Sequence, residues 1–339
     1  MPGSIVVASN LLTAGLRSDF WDTYERTYNG MQARLSKVME LNVPSDKLTE
    51  IYGYFLSSPY PRRWPRGEGL PNKNFKGVQF SVTNRDWAVR VSWHENDRQD
   101  DQTKSLRDRA TAAGEHFATL DERVFFQINT GATDSQLLPA IPNAPDGVGL
   151  YSATDGDSAN RFGVSGGNIV TGNGVASAGT IRSDFFNAIE RFRQFQDTEG
   201  QPLWDDSVID SGYVLFFNVA NWQVVAEAFQ QGRTMQILQN VAAAENVAAA
   251  TPTNIVMDSG LNVELVPTQR ITDNDMFVYL KGARRKPIFK QVRQPIREWF
   301  ATMDNSDSSR DTKIEYAQWE ARFGYGVMLP YGAVQINNS

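Results

Sequence analysis

The sequence predicts an α+β protein in which helices and strands follow one another in mixed order. Three observations predict it. Leu12, Leu16, Phe20, Tyr24 and Tyr28 recur every fourth residue, the pattern of a helix with one apolar face. Val78, Phe80 and Val82, then Trp87, Val89, Val91 and Trp93, alternate with polar residues, the period of half-buried strands. From about Thr103 to Thr130 the stripe Leu106, Ala110, Ala113, Phe117, Leu120, Val124 and Ile128 runs without a proline. Strands do not alternate with helices as in a βαβ array, and no fixed-period repeat is present.

In chain order, residues 1–9 read as a loose leader. Ser9 or Asn10 caps the first helix and Gly30 ends or bends it. Residues 31–56 are mixed, with a break at Pro44. The segment from Ser57 to Gly69 is rich in proline and arginine and has no apolar periodicity, yet it and its continuation carry Tyr60, Trp64, Leu70 and Phe75. A ribbon follows, its two strands (78–82 and 87–93) joined by a turn at Asn84-Arg85-Asp86. Such a ribbon is marginal alone in water, so it needs something outside its own domain to lie on.

The long helix spans roughly 40 Å at about 1.5 Å per residue, and Gly131 stands where a terminating glycine belongs. Ten of the 26 glycines fall in 131–180, which reads as a long, partly mobile loop with short strands. A helix follows from Ile181 to Gln196, with Ile181, Phe185, Ala188, Ile189 and Phe192 facing inward. Tyr213–Phe217 is a buried strand, and Ala220–Gln230 a helix. Residues 241–250 continue as helix or loop, and strands are expected at 254–258, 262–266 and 275–280. The last 55 residues read as extended strands: 287–293, 313–323 and 325–329.

At 339 residues the chain can bury a sizeable core, and 41% hydrophobic with 21% charged residues describes an ordinary folded protein. No stretch reaches the 18 or so apolar residues a spanning helix requires, so no membrane partner is expected. The net charge of -6 argues against nucleic-acid binding by the whole surface. Cysteine is absent, which removes disulfides and thiolate metal sites. Charge is unevenly spread, however. Arg62, Arg63, Arg66, Lys73 and Lys76 face only Glu68, and Lys281, Arg284, Arg285, Lys286, Lys290, Arg293 and Arg297 form a second run. Acids gather at Glu95, Asp97, Asp100 and Asp101, and at Asp205, Asp206 and Asp210. These are either solvated faces or complementary patches between copies of one chain.

Searches for chemistry fail one by one. Gly163-Val164-Ser165-Gly166-Gly167 matches a nucleophile elbow, but its flanks are glycine-rich and both histidines, His94 and His116, lie upstream. No phosphate-binding glycine loop is present, Asp155-Gly156-Asp157 is too short for a calcium loop, and His94-Glu95 lacks the second histidine of a zinc helix. His116 reads as a packed or edge residue beside the stripe. Asp97, Asp100 and Asp101 complement the dipole at the start of the long helix. The basic run 281–297 lacks the aromatic interleaving of single-strand binders. No catalytic residue, cofactor or metal is expected.

The co-linear order of these elements resembles a tailed-phage major capsid protein of the HK97-like fold, and within that group the Mu-type major head subunit family. The residues that carry the resemblance are 11–21 (first helix), 80–91 with 96–102 (ribbon and acidic turn), 112–117 and 122–126 (spine helix), 287–293 (a late basic strand) and 321–326 (the closing strand). Residues 140–180 depart from the family's pattern, as an insertion would. The resemblance implies an N-terminal arm (1–55), an extended loop with its β-ribbon (56–100), a peripheral domain with the spine helix (101–134), an axial domain (135–280) and peripheral return strands (281–339). It implies a homo-oligomer of hexamers and pentamers closing an icosahedral shell around double-stranded DNA in the virion, assembled in the host cytoplasm. Scaffolding, portal and decoration proteins are the implied partners, the DNA being contacted non-specifically. Because no charged helical segment precedes the arm, a separate scaffold is expected. Subunit contacts then fall to Tyr60, Arg62, Arg63, Trp64, Arg66, Glu68, Lys73, Lys76, Asp97, Asp100, Asp101, Arg284, Arg285, Lys290 and Arg293. The competing readings are an encapsulin-type compartment shell, an α+β hydrolase and a tail or adhesin component.

Overall fold

The computed structural model describes residues 4–57, 76–94, 96, 105–230, 261–303 and 305–338. Helix α1 (Ser4–Leu35) starts earlier than its apolar stripe and runs through Gly30, which ends nothing here. A glycine inside a helix costs only about 1 kcal/mol, and packing of the flanking turns outweighs that. Leu16, Phe20, Met31 and Leu35 are buried against α2 (Ser105–Ala118) and the sheet behind it. The two helices approach closely at Gly114, where a Cβ would sit 2.7 Å from the carbonyl oxygen of Phe20. The Phe20 ring stacks on Trp319, centroids 4.2 Å apart.

The long helix is not continuous. It breaks at Thr119 (φ -85°, ψ 1°) and resumes as α3 (Leu120–Thr130). Thr119 N–H still bonds the Glu115 carbonyl and Arg123 N–H that of Thr119, so hydrogen bonds join the two helices across the break. The Thr119 hydroxyl donates back to the Glu115 carbonyl at 3.0 Å, a contact that favours bending. All seven stripe residues are buried, and Gly131 closes α3 in the left-handed conformation, φ 69°.

Two sheets flank this pair of helices. The first has four strands in the order β1 (Met39–Pro44), β9 (Ile288–Ala301), β10 (Ile314–Val327), β4 (Arg85–His94), antiparallel except for β1 with β9. It is one-sided: Trp87, Val91, Trp93, Ala317, Trp319, Ala321 and Phe323 face the helices. Arg17 and Trp21 of α1 both reach Glu298 on β9, at 2.7 and 3.1 Å. The second sheet has five strands in the order β5 (Ile169–Thr171), β11 (Ala333–Asn337), β8 (Met276–Leu280), β6 (Tyr213–Asn218), β7 (Val263–Thr268). Val214 and Phe216 face α3, whereas Tyr213, Leu215 and Phe217 face α4 (Ala178–Gln194) and α6 (Trp222–Gln230). Burial on both faces is why 213–217 reads as an unbroken apolar run. The five residues expected inward on α4 are buried, and a Ser177/Thr180 capping box starts the helix. Short helices α5 (Asp206–Ile209) and α7 (Asp307–Thr312) complete the described elements. The expected strand at 254–258 and the segment 241–250 lie outside the described residues, and β11 was not foreseen.

The ribbon differs from expectation. β3 (Lys76–Thr83) pairs with β2 (Thr49–Ser57), not with β4, which leaves for the four-stranded sheet to lie beside β10. A tight hairpin at 84–86 would need positive φ, and none of these residues has it. Buried Asn84 makes a corner instead: its amide donates to Ser45 Oγ at 2.8 Å and the Lys47 carbonyl at 2.7 Å. The glycine-rich stretch is also more ordered than a mobile loop. Arg161, 1% exposed, donates twice to Asp146 (2.7 and 3.0 Å) and once to the Leu150 carbonyl (2.8 Å). Asn168, fully buried, ties the same loop to the Pro330 and Ala333 carbonyls.

Candidate assembly interface

Among the described residues, the most exposed large apolar side chains lie on two surfaces, with Val219 and Trp222 (42% and 41% exposed) a lesser third. The first is the root of the ribbon, where Leu48 and Ile51 are 53% and 69% exposed. Alternation along β2 sends Ile51 out and its neighbours Tyr52 and Tyr54 in. The Tyr52 hydroxyl donates to Gln291 at 2.8 Å, and its ring packs edge-on against Phe289. The Tyr54 phenol bonds that of Tyr331, and burial pushes its pKa well above the usual range. Glu50 closes the turn before β2, accepting the Lys47 and Asp46 N–H groups, each at 2.9 Å, and these bonds hold its carboxyl below the ordinary 4.5.

The second surface is the outer face of the four-stranded sheet. Exposed Arg297 and Trp299 alternate along β9, and Trp299 is 63% exposed. Around it lies a polar lattice. Arg90 donates to Gln318 at 2.6 and 3.0 Å and lies over the Tyr316 ring, Arg297 donates to Glu320 at 2.6 Å, and Arg322 pairs with Asp86. Exposed pairs of this kind are worth about 0–1 kcal/mol each, so their main effect is to hold a flat platform around one proud indole. An exposed tryptophan ringed by ordered polar groups has the make-up of an interface hot spot.

Tyr60, Arg62, Arg63, Trp64, Arg66, Glu68, Lys73, Asp97, Asp100 and Asp101 lie outside the described residues, and Lys76 is the first residue of β3. Arg284 and Arg285 are exposed in the turn before β9, and Arg293 is half-buried on the strand. Lys290 is a correction. Strand alternation turns it inward, to 4% exposed, where its Nζ lies 2.8 Å from Asp121 of α3. It is a core ion pair, not a surface contact. Lys286 of the same run is also partly withdrawn, and burial lowers its pKa. Sequence reasoning passed over Ile51 and Trp299. The β-forming residues of 49–57 and the alternate spacing of Arg297 and Trp299 were the signals available for them.

Among the described residues, none of the motifs weighed in the sequence forms a catalytic site. Phe162 and Gly163 adopt positive φ (56° and 71°) in a short 3-10 turn with no strand leading into it, which is not a nucleophile elbow. His116 lies on the exposed side of α2. Among the described residues no three His, Asp or Glu side chains gather to hold a metal, and no helix is long and apolar enough to cross a membrane.

Residues 12–136, from α1 through the end of α3, match the family described as the Mu-like prophage major head subunit gpT. No curated protein sequence matches the chain. Among solved structures, the capsid of cyanophage P-SCSP1u aligns over 89% of this chain and 87% of that one, with TM-score 0.54 and 11% identity. The capsid of an empty GTA particle aligns over 90% and 89%, with TM-score 0.54 and 10% identity. The capsid of Myoviridae phage XM1 aligns over 87% and 88%, with TM-score 0.51 and 10% identity. At these identities the likeness is one of fold, and the fold is HK97-like.

Proposed function

We propose that the protein is a major capsid (head) protein, a structural subunit and not an enzyme, whose copies close into the icosahedral shell of a tailed phage around its double-stranded DNA. The observation that carries this is the shared fold, which spans 87–88% of the chain of phage capsid subunits. The gpT match over the helix, ribbon and spine favours a phage head over a cellular compartment shell. In this reading the peripheral domain is built from the spine and the return strands, and residues 135–280 gather around hexamer and pentamer centres. The ribbon of one copy lies on the outer sheet face of the next, bringing Ile51 and Leu48 towards Trp299. Each contact is weak, and closure comes from their number. Scaffold, portal and decoration proteins are its further partners, and the net charge of -6 keeps the wall from adhering to packaged DNA. Electron microscopy of the purified protein, expressed alone and with the neighbouring genes of its source genome, tests the reading. Closed shells or six- and five-fold rings are expected, and a persistent monomer under both conditions refutes it.

A further inference from the structure

Two glycines of β10, Gly324 and Gly326, flank Tyr325, and neither has positive φ. Their reason is space. A Cβ on Gly324 would lie 2.7 Å from Gln291 Nε2 and 3.0 Å from the Thr83 carbonyl oxygen. One on Gly326 would lie 2.7 Å from both Phe289 and Val82. The pair therefore cuts a notch in the sheet, and the ribbon's root fills it. Val82 of β3 packs there with Phe289, and Tyr52 and Phe80 stack over them with ring centroids 5.5 Å apart. The Gln291 side chain, fully buried, grips both ribbon strands at once. It donates Nε2–H to the Val82 carbonyl at 3.0 Å and accepts the Tyr52 hydroxyl at 2.8 Å.

We propose that this notch and its single amide set the angle at which the ribbon leaves the protomer, and through that angle the curvature of the shell; the second half rests on the capsid reading above. Tyr52 and Gln291 are positioning residues. Tyr52 lies five residues, about 17 Å, from the end of β2 at Ser57, so a tilt of some 10° about it moves that end by about 3 Å, close to one residue of strand register. A neighbour that docks the ribbon in register cannot absorb that displacement, so a loosened root is expected to change the angle between subunits.

The native chain has no cysteine, so spin labels at Gly77→Cys, exposed on β3 opposite Phe55 and three residues beyond Phe80, and at Asp307→Cys on the body report one distance. Wild type is expected to show a narrow distribution, and Tyr52→Phe, which removes one hydroxyl, a broader or shifted one. Gln291→Met is expected to have the larger effect, and Tyr52→Phe suffices if that variant does not fold. Phe185→Leu, in the separate core under α4, is the control: it lowers the melting temperature and leaves the distance unchanged. Shells from the latch variants are then sized by electron microscopy, and a shifted or broadened diameter is expected. An unchanged distance in both latch variants overturns the latch. A broadened distance with wild-type shell diameters overturns its control of curvature. Wild-type protein that forms no shells sinks the capsid reading and the curvature half with it, while the distance still decides the latch.

Discussion

Replacing Lys290 with methionine is expected to cost the protomer about 3–5 kcal/mol, the usual penalty for leaving a buried partner charge uncompensated. The side chains of Lys290 and Asp121 are 5% and 3% exposed, and the ammonium also lies 3.7 Å from the centroid of the Phe323 ring. With the ammonium gone, Asp121 keeps only the Tyr325 hydroxyl, at 2.6 Å. Burial and then the Asp121 charge raise Tyr28 to about 12, and burial likewise raises Tyr325, so both phenols stay neutral. Lys290→Met with Asp121→Leu removes both charges and is expected to recover most of the loss, because an apolar pair of similar volume is often neutral or better. Urea denaturation followed by the fluorescence of the eight tryptophans, of which Trp87 and Trp319 sit in the same core cluster, reads all three variants. A single-variant loss under about 1 kcal/mol, or strict additivity in the double variant, would refute the reasoning and return Lys290 to the surface.

Arg161→Met is expected to strand Asp146 and release the loop. Hydrogen exchange should rise over residues 150–168 while β6 and β8 stay protected, and a uniform rise would contradict this. Glu50, with its carboxyl held low, contributes at neutral pH, and that contribution is lost as pH falls below 4.5 through the folded value. Acid should therefore loosen the 45–50 turn of wild type, whereas Glu50→Gln should be loose already at pH 7 and show no acid step by exchange. Trp299→Ala should change protomer stability by no more than about 0.5 kcal/mol. If Trp299 is an interface anchor, the same change weakens assembly by about 2 kcal/mol or more per contact, read as a higher critical concentration in light scattering.

What could be read without coordinates was local. The stripe from Leu106 to Ile128, the inward face of α4, the buried run at 213–217 and the stop at Gly131 all follow from periodicity and side-chain size. Their order along the chain was enough to suggest the capsid fold. Periodicity says which side of an element is apolar, but not which strand lies beside it. That is why 78–82 and 87–93 read as one hairpin, yet the strands that contain them, β3 and β4, fold into two different sheets. The same limit hid the role of Lys290, whose counter-charge lies 169 residues away, and that of Arg161, which orders a stretch that by composition looks slack. Composition determined that this is a folded chain without disulfides, and its patterns determined its helices and strands. Only the tertiary structure decided their partners, because pairing and ion burial depend on groups brought together from distant parts of the chain, and local sequence does not encode those distances.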